Sequence, residues 1–187
     1  LSLCSFLYFI TRTFINFEYN HYFETYFHSE KSMAQFLGYY TMIALSFSLI
    51  LQLFITNRLI GNLGLKFCLG LYNCFYLVAA LTSIFTFNIY GALFSKFIEN
   101  ELRFAFRNPI INLITNKLGK TLRAKARTWS LGIVTPAAIL VGSIFLGITN
   151  SVSFYFSAII GFILTVLYFI VCFKLFNSFE ETVSWKT

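Results

Sequence analysis

The run RTFINFEYNHYFE, Arg12 to Glu24, sets an arginine, two glutamates, two asparagines and a histidine within a long apolar stretch. On a helix turning about 100° per residue, Arg12, Asn16 and Asn20 step along one face. Glu18, His21 and Thr25 lie more than a quarter-turn away. An ionisable group in hydrocarbon costs from about 3 to more than 10 kcal/mol, so it turns to a water-filled cavity or an internal partner. Arg12, Asn16, Glu18 and Asn20 are therefore candidates for lining a cavity that binds a charged solute. A structural reading stands beside this one. Arg12 can snorkel to one membrane surface, His21 and Glu24 can lie at the other, and Glu18 can pair with another helix.

A second cluster, SKFIENELR, has Lys96 three residues before Glu99 and Glu99 four before Arg103. That spacing lets the charges pair along one helix face. Lys96 and Glu99 join the substrate-binding candidates, near the cytoplasmic mouth of the cavity. The plainer reading is a helix end stabilised by its own charges. Catalytic constellations are missing. His21 and His28 are the only histidines, aspartate does not occur, and no nucleophile–base, phosphate-loop or metal-ligand spacing is visible. The chain does not read as an enzyme, and no metal or cofactor is expected. The four cysteines lie in apolar runs without ligand spacing and read as small buried hydrophobes.

The elements that would position these residues are membrane helices. Of 187 residues, 58% are hydrophobic and 11% charged, where soluble domains carry about 25% charged. The expected fold is all-α and integral to the membrane, with six transmembrane helices near 3–27, 35–57, 63–82, 85–106, 129–148 and 152–175. The whole of 1–187 reads as one membrane domain. Polar and glycine signals (HSEKS, NRLIGNLG, TS, NKLGK, TNS) separate the spans. In the fifth, Gly132, Pro136, Gly142 and Gly147 permit close packing and a bend.

Seven of the 14 Lys and Arg residues fall from the end of span four to the start of span five: Arg103, Arg107, Lys117, Lys120, Arg123, Lys125 and Arg127. Arg58 and Lys66, and at and beyond the end of span six Lys174 and Lys186, fall on the same side; the other side offers only Lys31. Positive-inside asymmetry then puts both termini and the basic segment 103–127 in the cytoplasm or matrix. That segment is expected to touch anionic lipid headgroups; the alternative is attraction of an anionic substrate or a partner protein. Nucleic acid is not an expected partner. A chain that begins with Leu1 reads as a segment of something longer. Its load of Phe, Ile, Tyr and Asn points to an AT-rich genome, hence a bacterial inner membrane or, alternatively, an organelle inner membrane.

Phe36 to Leu69, FLGYYTMIALSFSLILQLFITNRLIGNLGLKFCL, resembles the second-half helices of the nucleotide (ATP/ADP) transporter family, closest to its major-facilitator-like bacterial relatives, some fused to HEAT repeats. Gln52, Leu53, Phe54, Arg58 and Gly64 carry that likeness, with Glu18 and Tyr19 resembling an acidic–tyrosine pair in the preceding helix. Leu102, Arg103, Arg107, Pro109, Arg123, Lys125, Gly132 and Pro136 resemble the family's basic loop and following helix. The resemblance covers nearly the whole chain. It implies the carboxy-terminal half of a twelve-helix transporter, with the first helix here lining the central cavity. It also implies transport of a nucleotide or other anionic solute, with a second six-helix half as partner. RTWSLGIVTPAA departs from the family by lacking the acid and the lysine found there. That departure supports the alternative, a transporter-derived structural subunit anchoring a membrane complex. A channel is less favoured, because no filter-like motif is visible.

Overall fold

A computed structural model describes residues 2–85, 88–116 and 120–184, with the side chains of Lys120 and residues 176–184 outside the description. Lys117 and Lys186 therefore lie outside the described residues. Among the described residues the fold is all-helical. The elements are α1 (Ser2–Tyr26), α2 (Glu30–Ile50), α3 (Asn57–Phe85), α4 (Ile89–Lys96), α5 (Asn108–Asn116), α6 (Lys120–Trp129), α7 (Thr135–Asn150) and α8 (Phe154–Ser184). Wider π-helical turns join several of them: Leu51–Thr56, Phe97–Arg107 and Ser130–Val134.

Three stretches are long and apolar enough to cross a membrane: Glu30–Phe85, Thr121–Asn150 and Phe154–Leu175. The first runs 56 residues without a loop, where about 20 suffice for one span. The loop expected between 57 and 63 is replaced by a single non-helical residue, Gly64, at φ 81° and ψ 166°. That conformation is essentially reserved for glycine, since a Cβ would collide with the adjoining backbone. α1 has the length of a span but carries Arg12, Glu18 and Glu24.

Both prolines of the chain stand two residues past a wide turn, Pro109 after Arg107 and Pro136 after Val134. A proline inside a helix removes one N–H and collides with the carbonyl four residues back. Those carbonyls belong to Ala105 and Gly132, both within the wide turns, where local π geometry re-satisfies the freed groups. The N–H of Asn108 accordingly bonds the carbonyl of Arg103, and that of Thr135 the carbonyl of Ser130, each five residues back. The Thr135 hydroxyl also donates to the Ser130 carbonyl, at 2.8 Å.

The chain forms two compact units that divide α1 between them. One holds Leu1–Phe14 with Lys120–Thr187, the other Ile15–Gly119. In the first unit Ile10, Phe14 and Ala138 form the core. A methyl added at Gly142 would stand 3.2 Å from Thr13 Oγ1 and 3.4 Å from the Ile10 Cα, so α1 and α7 pack backbone to backbone there. Outward faces carry large apolar residues such as Met42, Ile43, Phe54, Leu140 and Ile144. Hydroxyls bond their own helix, as Thr13 to the Phe9 carbonyl at 3.0 Å and Thr165 to that of Gly161 at 2.8 Å. Such back-bonding suits apolar surroundings, where water cannot satisfy a hydroxyl.

Gly64→Ala is expected to lower stability by about 1–3 kcal/mol, read as a drop in thermal unfolding temperature in detergent. Gly61→Ala is the control: its added methyl meets nothing within 4 Å, and its helical position should gain up to about 1 kcal/mol. A Gly64→Ala protein as stable as wild type would mean that the helix runs unbroken through residue 64.

Candidate functional site

The second unit contains a concentration of buried charge. Glu18 is 1% exposed, Glu99 0%, Glu101 4% and Arg107 8%, while Lys96 and Arg103 are half-buried. Their placement follows from the wide turn. Residues 97–107 hold Glu99, Glu101, Arg103 and Arg107 on a segment that packs against α2, α3 and α5, so several of its faces turn inward. Arg107 is buried and the Arg103 side chain is mostly covered for this reason. Arg123 is partly buried, and Lys125 and Arg127 are exposed on α6.

Polar tethers fix the elements around the cluster. The Tyr22 hydroxyl donates to the Ser83 carbonyl at 2.9 Å, holding α1 to α3. The Tyr40 hydroxyl donates to the Leu93 carbonyl at 2.8 Å, and the Ser48 hydroxyl to the Glu101 carbonyl at 3.0 Å, holding α2 to α4 and the wide turn. The Ser95 hydroxyl donates to the Ala79 carbonyl at 3.1 Å, closing α4 onto α3.

Within this frame Glu99 and Arg103 pair at 3.7 Å, with the arginine side chain 13% exposed. Their four-residue spacing had indicated that pairing. Lys96 behaves differently. Its Nζ stands 5.4 Å from the centre of the Tyr19 ring and 5.7 Å from that of Phe23. Such a position draws on the negative ring faces. Glu99 and Glu101 are its electrostatic neighbours, yet among the described residues it makes no ion pair. Tyr19 also donates its hydroxyl to Asn16 and accepts a hydrogen bond from Asn100 at 3.5 Å.

Glu18 meets α3 at Ser83, its hydrogen-bonding neighbour, and its other oxygen is buried without a hydrogen-bond partner. Glu101 Oε2 is likewise buried and unbonded. Asn16, Glu18, Lys96 and Glu99 thus all belong to the second unit. Arg12 belongs to the first unit, and Asn20 is exposed. Sequence reasoning did not single out Glu101 or Phe23, and it named Tyr19 only as half of an acidic–tyrosine resemblance, not as a ring that receives Lys96. Glu101 was legible only as a third charge in SKFIENELR, whereas Tyr19 and Phe23, four apart, reveal themselves once α1 lies beside α4. Among the described residues no group of three or more His, Cys or Glu could hold a metal ion. Comparison with models of known families, with curated proteins and with solved structures finds no match.

Removing Glu99 would leave the Arg103 cation without its carboxylate, and breaking a buried pair costs about 3–5 kcal/mol. Glu99→Ala should therefore unfold at a clearly lower temperature than the exposed Glu24→Ala. Adding Arg103→Ala should recover part of that loss in a double-mutant cycle. A double variant whose loss equals the sum of the two singles would show that the pair is uncoupled.

Proposed function

We propose that this chain is the six-helix half of a membrane solute transporter, with the charged cluster of the second unit as its solute site. Three carboxylates (Glu18, Glu99, Glu101) and three cations (Lys96, Arg103, Arg107) lie inside helices whose outward faces are Leu, Ile and Phe. That single observation carries the reading. Charge buried in membrane helices is costly to maintain, and it marks solute and ion pathways.

On this reading the Glu30–Phe85 helix counts as two spans broken at Gly64. α1, the stretch from α4 through α5, the stretch from α6 through α7, and α8 supply the other four. The termini and basic segment face the cytoplasm of a bacterial inner membrane. A second half, or a second copy, completes the alternating-access path, because such transporters rock two repeats around a shared site. The resemblance to the ATP/ADP transporter family makes labelled ATP and ADP the first solutes to assay.

A structural subunit is the second reading, favoured by α6. It exposes Leu122, Lys125 and Trp129 along an open groove of about 760 Å³, and Arg127 is exposed on the same helix. A partner or anionic headgroups would meet both chemistries there.

Uptake into proteoliposomes separates the two. Under the transport reading, Glu18→Gln and Lys96→Gln should each cut uptake by 10-fold or more, while Lys125→Gln with Arg127→Gln leaves it intact. Wild-type uptake in both cluster variants would remove the transport reading. Loss of co-purifying protein from the α6 variant alone would establish the subunit reading.

A further inference from the structure

The charges of the second unit are not equally engaged. Arg103 is matched by Glu99 at 3.7 Å, Arg107 has partners of its own, and Glu18 has Ser83. Lys96 and Glu101 remain, one charge of each sign. They are electrostatic neighbours, yet among the described residues Lys96 rests on two aromatic rings without an ion pair, and Glu101, like Glu18 and Glu99, keeps one oxygen buried and unbonded. Ser48 pins the Glu101 backbone carbonyl at 3.0 Å, which holds that residue's main chain in place.

We propose that Lys96 and Glu101, with the rings of Tyr19 and Phe23, form the binding site for a small zwitterionic solute of the amino-acid class. The solute carboxylate takes the Lys96 ammonium, whose flexible four-carbon stem lets it swing away from the rings. The solute ammonium then replaces it over Tyr19 and Phe23 and faces Glu101, an aromatic-and-carboxylate setting suited to a cation. A buried charge without a direct ion pair is costly, and a zwitterion gives Lys96 and Glu101 one each at once. Simple ions fit worse. A monocarboxylate leaves Glu101 unmatched, an amine leaves Lys96 unmatched, and a polyphosphate adds negative charge beside Glu99 and Glu101. This inference rests on reading the cluster as a solute site and narrows what the site accepts.

The test is ligand-induced thermal stabilisation and equilibrium binding with the purified full chain in detergent. The probes are a panel of α-amino acids, propionate, ethylamine and ATP. At least one amino acid should bind 10-fold or more tightly than propionate, ethylamine or ATP. Lys96→Met and Glu101→Gln should each weaken that binding at least 10-fold, and the exposed Lys125→Gln should leave it unchanged. Tighter binding of ATP or propionate, no amino-acid binding at millimolar concentration, or undiminished binding in both cluster variants would overturn the proposal. The panel with unaltered protein decides the matter even where a variant does not fold. Amino-acid binding without uptake in proteoliposomes would overturn the transport reading and leave this one standing; ATP uptake with no amino-acid binding would do the reverse.

Discussion

Charge held away from water must find its opposite among neighbouring side chains, and the second unit is arranged around that requirement. Glu99 and Arg103 meet across one turn of the same segment. Arg103 also lies over the Phe104 ring at 4.8 Å, so its guanidinium is covered by both carboxylate and aromatic face. The Lys96 ammonium finds ring faces instead of a carboxylate. The interaction energies involved are individually modest, about 0.5–2 kcal/mol for a cation over a ring. What makes them decisive is the alternative, since an uncompensated buried charge is worse by several kcal/mol.

Backbone geometry delivers these groups to one place. The wide turn at residues 97–107 bonds backward across five residues, and helical segments of this kind are frequent at functional sites. Pro109 lies just beyond it, as Pro136 lies beyond the corresponding turn at 130–134. The missing N–H and the bulk of each ring have a physical outlet in the wider geometry, which connects a backbone constraint to the placement of Glu99, Glu101 and Arg103. Hydroxyl tethers from Tyr40, Ser48 and Ser95 then hold the neighbouring helices against that segment.

Helix content was plain in the sequence because long apolar runs without alternating polarity leave backbone groups no other internal solution. The polarity of α1 and the Glu99–Arg103 pairing were also legible, the first from residue types and the second from a four-residue spacing. The interruption near residues 57–63 was less so. Its polar and glycine content resembled a loop, but two asparagines, an arginine and Gly61 are tolerated in a helix, and only Gly64 leaves helical geometry. The inward turn of Arg103 and Arg107 was likewise hidden, because a count of basic residues carries no information about which helix faces meet.

The sequence by itself determined that these residues form apolar helices bearing costly internal charge, because composition, helical period and hydrogen-bond satisfaction act along the chain. Tertiary structure alone decided that Lys96 lies on the rings of Tyr19 and Phe23 rather than against Glu99. It also decided that Glu101 is buried with an unbonded oxygen, and that Arg12 and Glu18, six positions apart on one helix, belong to different units. Those outcomes depend on distances between residues remote in the chain, and electrostatic and aromatic contacts are decided by distance, not by order.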